Sequence, residues 1–259
     1  MSFTNKDIDL TYKDLLYVDN NNNGVDSTTR AVKSASGGNT AIAVSDRSLQ
    51  IKSATDNTTA VDVQDSGGNT KFLVDTTNDF VKANGVHINT QYVHFGINNV
   101  DSRTFAAGQH QPIPFEFATI SGIPDFGTGT DPATSFTTAE GTDTRASDII
   151  PMLWYINDNI TIDAIIAIEG ADAATGDTTR FHIFSYDFTS GSTSCLSNGT
   201  LLAHNADVTN AGSEQAYKST LTIDSASVAA GKVVLAFFES DSINSDYSLN
   251  VTIKYHITG

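Results

Sequence analysis

The sequence predicts an all-β protein in three parts: an N-terminal anchor with a short helix over residues 1–30, a repeat-built β stalk over 31–105, and a C-terminal β-sandwich head over 106–259. Three observations carry this. A short pattern of alternating apolar residues is written twice between Asn39 and Gly85. From residue 101 onward lie 16 of the 23 aromatic residues and all five prolines, so the bulky core belongs to the C-terminal part. That part offers eight strand-like runs with no convincing helix between them.

In the anchor, Ile8, Tyr12, Leu15 and Leu16 fall at helical spacing, and Thr11 followed by Asp14 resembles a capping box, which predicts a short helix over 12–17. Such a helix is too short to stand alone. Tyr12, Leu15, Leu16 and Tyr17 therefore read as residues that order against a partner surface, the alternative being a frayed terminus. Asp19 to Gly24 matches the opening of a calcium loop. The twelfth position is Arg30, a cation where a bidentate carboxylate is needed, so the stretch reads as an Asn-rich turn.

In the stalk, Thr40, Ala41, Ile42, Val44 and Asp46 recur 19 positions later as Thr59, Ala60, Val61, Val63 and Asp65. Leu49 and Ile51 answer to Phe72 and Val74, 23 positions later, the difference being absorbed by the turn at Ser66–Thr70. Each copy reads as two short strands with one thin apolar face. The eight residues Ile42, Val44, Leu49, Ile51, Val61, Val63, Phe72 and Val74 cannot close a core alone, because a lone hairpin is marginal in water. A ring of three chains would bury them around one axis, which predicts an intertwined homotrimer; two hairpins of an ordinary monomeric sheet are the alternative.

The composition narrows the partners. A formal net charge of −16 disfavours nucleic acid and anionic membrane surfaces. No apolar run long enough for a membrane helix exists, and the N-terminus, with Lys6, Asp7 and Asp9, lacks the layout of a secretion signal. Cys195 is the only cysteine, so no internal disulfide can form. A Thr-, Ser-, Asn- and Gly-rich β protein with neither export signal nor disulfides fits a virion protein, made in the host cytoplasm and exposed on the particle.

At Tyr12-Lys13-Asp14-Leu15-Leu16-Tyr17, the Asn run ending in Gly24, and Thr28-Thr29-Arg30-Ala31-Val32, the chain resembles the N-terminal segment of fibre and decoration proteins of marine bacteriophages, followed there too by short β repeats. The resemblance covers about the first third of the chain. It implies a trimeric virion appendage joined by its N-terminus to capsid or tail proteins.

In the head, candidate strands fall near 112–120, 149–156, 160–169, 180–188, 199–203, 217–224, 231–239 and 246–257. The last alternates cleanly, with Tyr247, Leu249, Val251, Ile253, Tyr255 and Ile257 on the core face. Val233 to Phe238 is apolar on both faces, so it is central or lies between chains. Eight strands favour a two-sheet sandwich of jelly-roll type. The connection 121–148 is one long loop in which Asp125, Asp131, Glu140, Asp143 and Asp148 could gather a cation, a solvated acidic loop being the simpler reading.

The sequence carries no Gly-x-Ser-x-Gly elbow, phosphate loop, His-Glu-x-x-His or paired cysteines. No catalytic residue, metal ligand or cofactor is assigned. Three readings remain: a structural fibre or decoration protein, a tail receptor-binding protein whose head takes host surface glycans, and, last, a glycan depolymerase.

Overall fold

The computed structural model describes residues 15–21, 23–98, 106–118, 122–142, 144–172, 175–212, 214–241 and 246–258. It divides into two compact units, Met1–Ile88 and Asn89–Gly259. Among the described residues every strand pairing is antiparallel.

The first unit is two consecutive four-stranded meanders. One holds β1 (Leu16–Val18), β2 (Arg30–Ser34), β3 (Asn39–Val44) and β4 (Leu49–Ile51) in that order. The other holds β5 (Val61–Gln64), β6 (Thr70–Asp75), β7 (Phe80–Ala83) and β8 (Val86–His87). Their turns follow from local chemistry. Asp75 takes the backbone N–H groups of Thr77 and Asn78 at 2.9 Å each, and Asn84-Gly85, with φ of 48° and 80°, makes the tight left-handed turn between β7 and β8. The expected helix over 12–17 is corrected. Residues 12–14 lie outside the described residues, but Leu16–Val18 is a strand whose ladder to Val32–Ser34 replaces the intrahelical bonds a six-residue helix could not sustain.

The second unit contains β9 (Thr90–Ile97), β10 (Gln111–Ile113), the short helix α1 (Ala146–Ile149) with a 3-10 turn at Ile150–Met152, and β11 (Trp154–Tyr155). Then come β12 (Ile160–Asp172), β13 (Thr178–Phe188), β14 (Leu196–His204), β15 (Val208–Thr209) and β16 (Gln215–Thr220). The chain finishes with β17 (Thr222–Ile223), β18 (Ser227–Val228), β19 (Lys232–Ser240) and β20 (Asp246–Ile257). One sheet runs β16-β12-β20-β9, with β18 beside β12; the other runs β10-β19-β13-β14-β17, with β11 beside β19 and β15 beside β13. The sheets enclose one core to which Ile165, Ala167, Val251 and Ile253 contribute from the first, and Phe181, Ile183, Val234 and Phe238 from the second.

Here β9 departs from expectation. Its eight residues were grouped with the stalk, yet they pair residue for residue with β20, from Thr90↔His256 to Leu249↔Ile97, and bury Val93, Phe95 and Ile97 in the core. The division therefore falls between Ile88 and Asn89 rather than at 105/106. The stretch 149–156, expected as one strand, starts instead as α1 and the 3-10 turn, with Pro151 at its N-terminus, and only Trp154–Tyr155 is extended.

The long connection keeps Asp125, Asp131 and Glu140 in solvent, as an acidic loop would, but pins its two phenylalanines to the head. Phe126 and Phe136 stack at 4.5 Å between ring centres on the outer side of the second sheet, where Phe126 also meets Tyr186 and Phe237. Backbone bonds fasten this strap at both ends of the patch: His110 N–H to Gly127 O at 2.9 Å, and Phe136 N–H to Leu196 O at 2.9 Å. Tyr186 adds its hydroxyl to the Ala133 carbonyl at 2.9 Å. This is why Val233 to Phe238 is apolar on both faces. One face meets the core and the other meets the strap, leaving all six residues at most 1% exposed.

Candidate functional site

The eight repeat residues come together in two equivalent sets. Ile42 lies opposite Ile51 and Val44 opposite Leu49 in the first hairpin; Val61 lies opposite Val74 and Val63 opposite Phe72 in the second. The period of two puts each set of four on one face of its hairpin. Neighbouring strands extend the second face with Val81 beside Val74 and Ala83 beside Phe72. Among the described residues of this unit no layer covers these faces. Leu49 is 66% exposed, Val63 52%, Ile51 47%, Ile42 43% and Phe72 39%, while Val44, Val61 and Val74 are half-buried.

The two hairpins turn by different means. Ser45 and Ser48 close the first through a 2.9 Å backbone bond and a 2.9 Å hydroxyl contact. In the second, Asp65 gathers the backbone N–H groups of Gly67 and Asn69, the Asn69 amide and Lys71 around one carboxylate. Those bonds, with Asn69 foremost, hold the Asp65 carboxyl down to about 2.

Of the anchor residues, Tyr12 lies outside the described residues. Leu15 and Leu16 are exposed, at 40% and 60%, and Tyr17 is half-buried opposite Lys33. Among the described residues of the Asn-rich turn, Asp19 pairs with Lys33 at 3.1 Å and Asp26 with Arg30.

In the head, Asp143 lies outside the described residues, and the other acids of the strap region are scattered. Asp125 caps the Gly127 N–H at 2.7 Å, Asp148 is buried against Arg145 at 2.9 Å, and Asp131 faces His182 at 3.5 Å. No cluster of three or more His, Cys, Asp or Glu able to hold a metal occurs among the described residues.

Two buried polar groups stand out. His182 shares its strand face with Phe184 and Tyr186 and lies beneath the strap between His110 at 4.9 Å and His204 at 6.5 Å. Burial, and then the neighbouring His110, Arg180 and His204, hold its pKa down to about 3. Glu169 points into the core, accepting from the Thr179 hydroxyl at 2.7 Å and the Asn210 amide at 3.3 Å, and burial raises its pKa despite those bonds. His256, which alternates with the core-facing Tyr255 and Ile257, is nevertheless only 8% exposed and bonded to Asp163 at 3.0 Å.

A cleft of about 210 Å³ opens at the end of the head where β9 begins, lined by Gln91, Trp154, Tyr155, Asn157, Asp158 and Tyr255 among others. Tyr155 is half-exposed, and the Tyr255 hydroxyl donates to the Gln91 side-chain carbonyl at 2.7 Å. Compared with known proteins, the chain matches no family model and no curated protein.

Proposed function

We propose that this chain is a structural component of a bacteriophage virion, a short trimeric fibre or decoration protein joined to capsid or tail proteins through residues 1–30, with its head directed outward. The observation that carries the reading is the pair of bare hairpin faces. Four apolar residues per hairpin are aligned across strands, five of the eight exposed and three half-buried, an arrangement that parallel copies around one axis would complete.

The head supports the same reading through its strand order. Taking β9, the β10–β11 edge, β12, β13, β14, β16, β19 and β20 as the first to eighth strands, one sheet runs sixth-third-eighth-first and the other second-seventh-fourth-fifth. That order supports the jelly-roll reading of the head, an architecture used by viral capsid and lectin domains. Fold alone does not fix function, so the weight stays on the bare faces and the N-terminal segment.

Exposed Leu15 and Leu16 sit in a segment with too little mass to bury them. Replacing both with Asp is expected to leave a folded assembly of unchanged mass that is missing from purified particles. Normal incorporation of that variant would put the attachment elsewhere.

A second reading, a tail receptor-binding protein for host surface glycans, is favoured by the aromatic cleft. Tyr155, exposed by 51%, offers a face for a pyranose ring while Asn157, Asp158 and Gln91 offer groups for its hydroxyls. Binding of host polysaccharide that is lost in a Tyr155→Ala variant would select it.

A further inference from the structure

The strap is pinned by Phe126 and Phe136, but between them it carries a loop that is held differently. Ala133 N–H bonds to Phe126 O at 2.6 Å and closes a neck. Gly127, at φ 92°, turns the chain out of that neck, and Thr128, Gly129, Thr130 and Asp131 lie exposed beyond it. None of the four is a large apolar residue, so what fastens the loop to the second sheet is polar. His110 Nε2 donates to Gly129 O at 2.8 Å, Arg180 Nη1 donates to Thr130 O at 3.3 Å, and His182 Nε2 faces the Asp131 carboxylate at 3.5 Å.

Two of these donors have a second acceptor close by. Glu239 Oε2, buried and without a hydrogen bond, lies 3.9 Å from His110 Nε2 and 3.8 Å from Arg180 Nη1. His110 Nε2 must carry a hydrogen to bond a carbonyl, so an arriving proton goes to Nδ1. That atom is buried with no acceptor, as is Nδ1 of His182. With the loop down, proton uptake by His110 would create a charged N–H that nothing accepts. With the loop raised, Nδ1 meets water and Nε2 is released to pair with Glu239, a charge-assisted bond roughly twice as strong as one between neutral groups. The remaining charged groups are engaged: Arg180 also pairs with Asp207 at 2.6 Å, and His204, on the far side of His182, bonds Asp224 at 2.7 Å.

We propose that residues 127–132 form an acid-operated flap. Neutral His110 holds it down through the Gly129 carbonyl; protonated His110 exchanges that carbonyl for the Glu239 carboxylate, and the flap rises while the sandwich beneath stays folded. The sign follows from proton counting. The raised flap binds one more proton than the lowered one, so the ratio of raised to lowered grows by up to about tenfold for each unit of falling pH. Burial, and then His110, Arg180 and His204, hold the His182 pKa down to about 3, so that ring adds no competing charge in mild acid. Rising uncovers His182 and the Arg180–Glu239 pair, and leaves Phe126 and Phe136 stacked in place.

The test uses the full chain, with Cys195→Ser removing the one native thiol. A nitroxide is attached at Thr130→Cys or, as an exposed control outside the strap, at Ile150→Cys, and its mobility is read by electron paramagnetic resonance. The pH runs from about 7.5 to about 5, where ordinary carboxylates stay ionised. Far-ultraviolet circular dichroism and emission of Trp154, the one tryptophan, report the sandwich. The label at 130 is expected to pass from restricted to mobile while the label at 150, the dichroism and the emission hold constant. Glu239→Gln should cut the mobile fraction at pH 5 at least about threefold, and His110→Gln, which keeps a donor for Gly129 but takes no proton, should leave the spectrum independent of pH. A label at 130 that stays restricted, or that loosens only together with the dichroism and emission, would overturn the proposal. So would a wild-type pH response in Glu239→Gln, which decides the matter if His110→Gln fails to fold.

Discussion

The two units use the same alternating strands and reach opposite ends. In the first, Val63 faces Phe72 and Val44 faces Leu49, and Val63, Phe72 and Leu49 are exposed while Val44 is half-buried. In the second, Ile183 faces Ala236 and Phe184 faces Leu235, and all four are at most 2% exposed. Pairing is equally good in both; what differs is a second layer. The head supplies its own twice over, from the opposite sheet and from the strap, whereas the first unit shows none among its described residues. On the account proposed here, other copies supply it.

The largest expected effect comes from breaking the head's added layer. Phe126→Ala removes the ring that joins Phe136, Tyr186 and Phe237, and should cost about 3–5 kcal/mol in urea unfolding of the head. Gly199→Ala attacks the same seam from beneath, because its Cβ would meet Tyr186 at 2.7 Å and the Thr134 backbone at 2.8 Å. A loss of about 1–3 kcal/mol is expected there, with faster proteolysis of the strap. By the same logic Phe72→Asp should leave the head's unfolding unchanged while abolishing assembly, so that the two layers fail independently.

Acid distinguishes the units next. His182 has a folded pKa of about 3 against an ordinary value of 6.5, so the unfolded state binds the proton more readily. Its contribution is complete above pH 6.5 and is lost as pH falls towards 3, with a slope of at most about 1.4 kcal/mol per unit. His110, Arg180, His204 and Asp131 surround it and shape that window. Unfolding of the head followed against pH should show this limb, and His182→Leu should flatten it. The smallest effect lies in the first unit. Carbon NMR should find Asp65 titrating near 2, well below the ordinary 3.8, and Asn69→Ala should move it back up.

Much of this arrangement can be read from residue order, because period-two patterning survives wherever both neighbours are strands. The repeat at Ile42–Ile51 and Val61–Val74 aligns the same pairs that the ladders bring together. The alternation of Tyr247 to Tyr255 marks its buried face, every core-side residue being at most 8% exposed. The strap escapes such reading. Phe126 and Phe136 are ten residues apart among Gly, Thr and Asp, with no period to link them, and only the apolar outer face of β19 hinted that something had to cover it. β9 carried a strand pattern, but its partner β20 lies more than 150 residues away, so its unit could not be read locally. The exposure of Ile166 and Ile168 was hidden for another reason: those residues continue an unbroken apolar run in which inside and outside look alike.

The central claim, that other copies cover the hairpin faces, is tested most directly by sedimentation equilibrium of the full chain at micromolar concentration. The account predicts a single species of three times the 27.5 kDa chain mass, reduced to one chain by Phe72→Asp. A wild-type protein that sediments at 27.5 kDa across that range would contradict it.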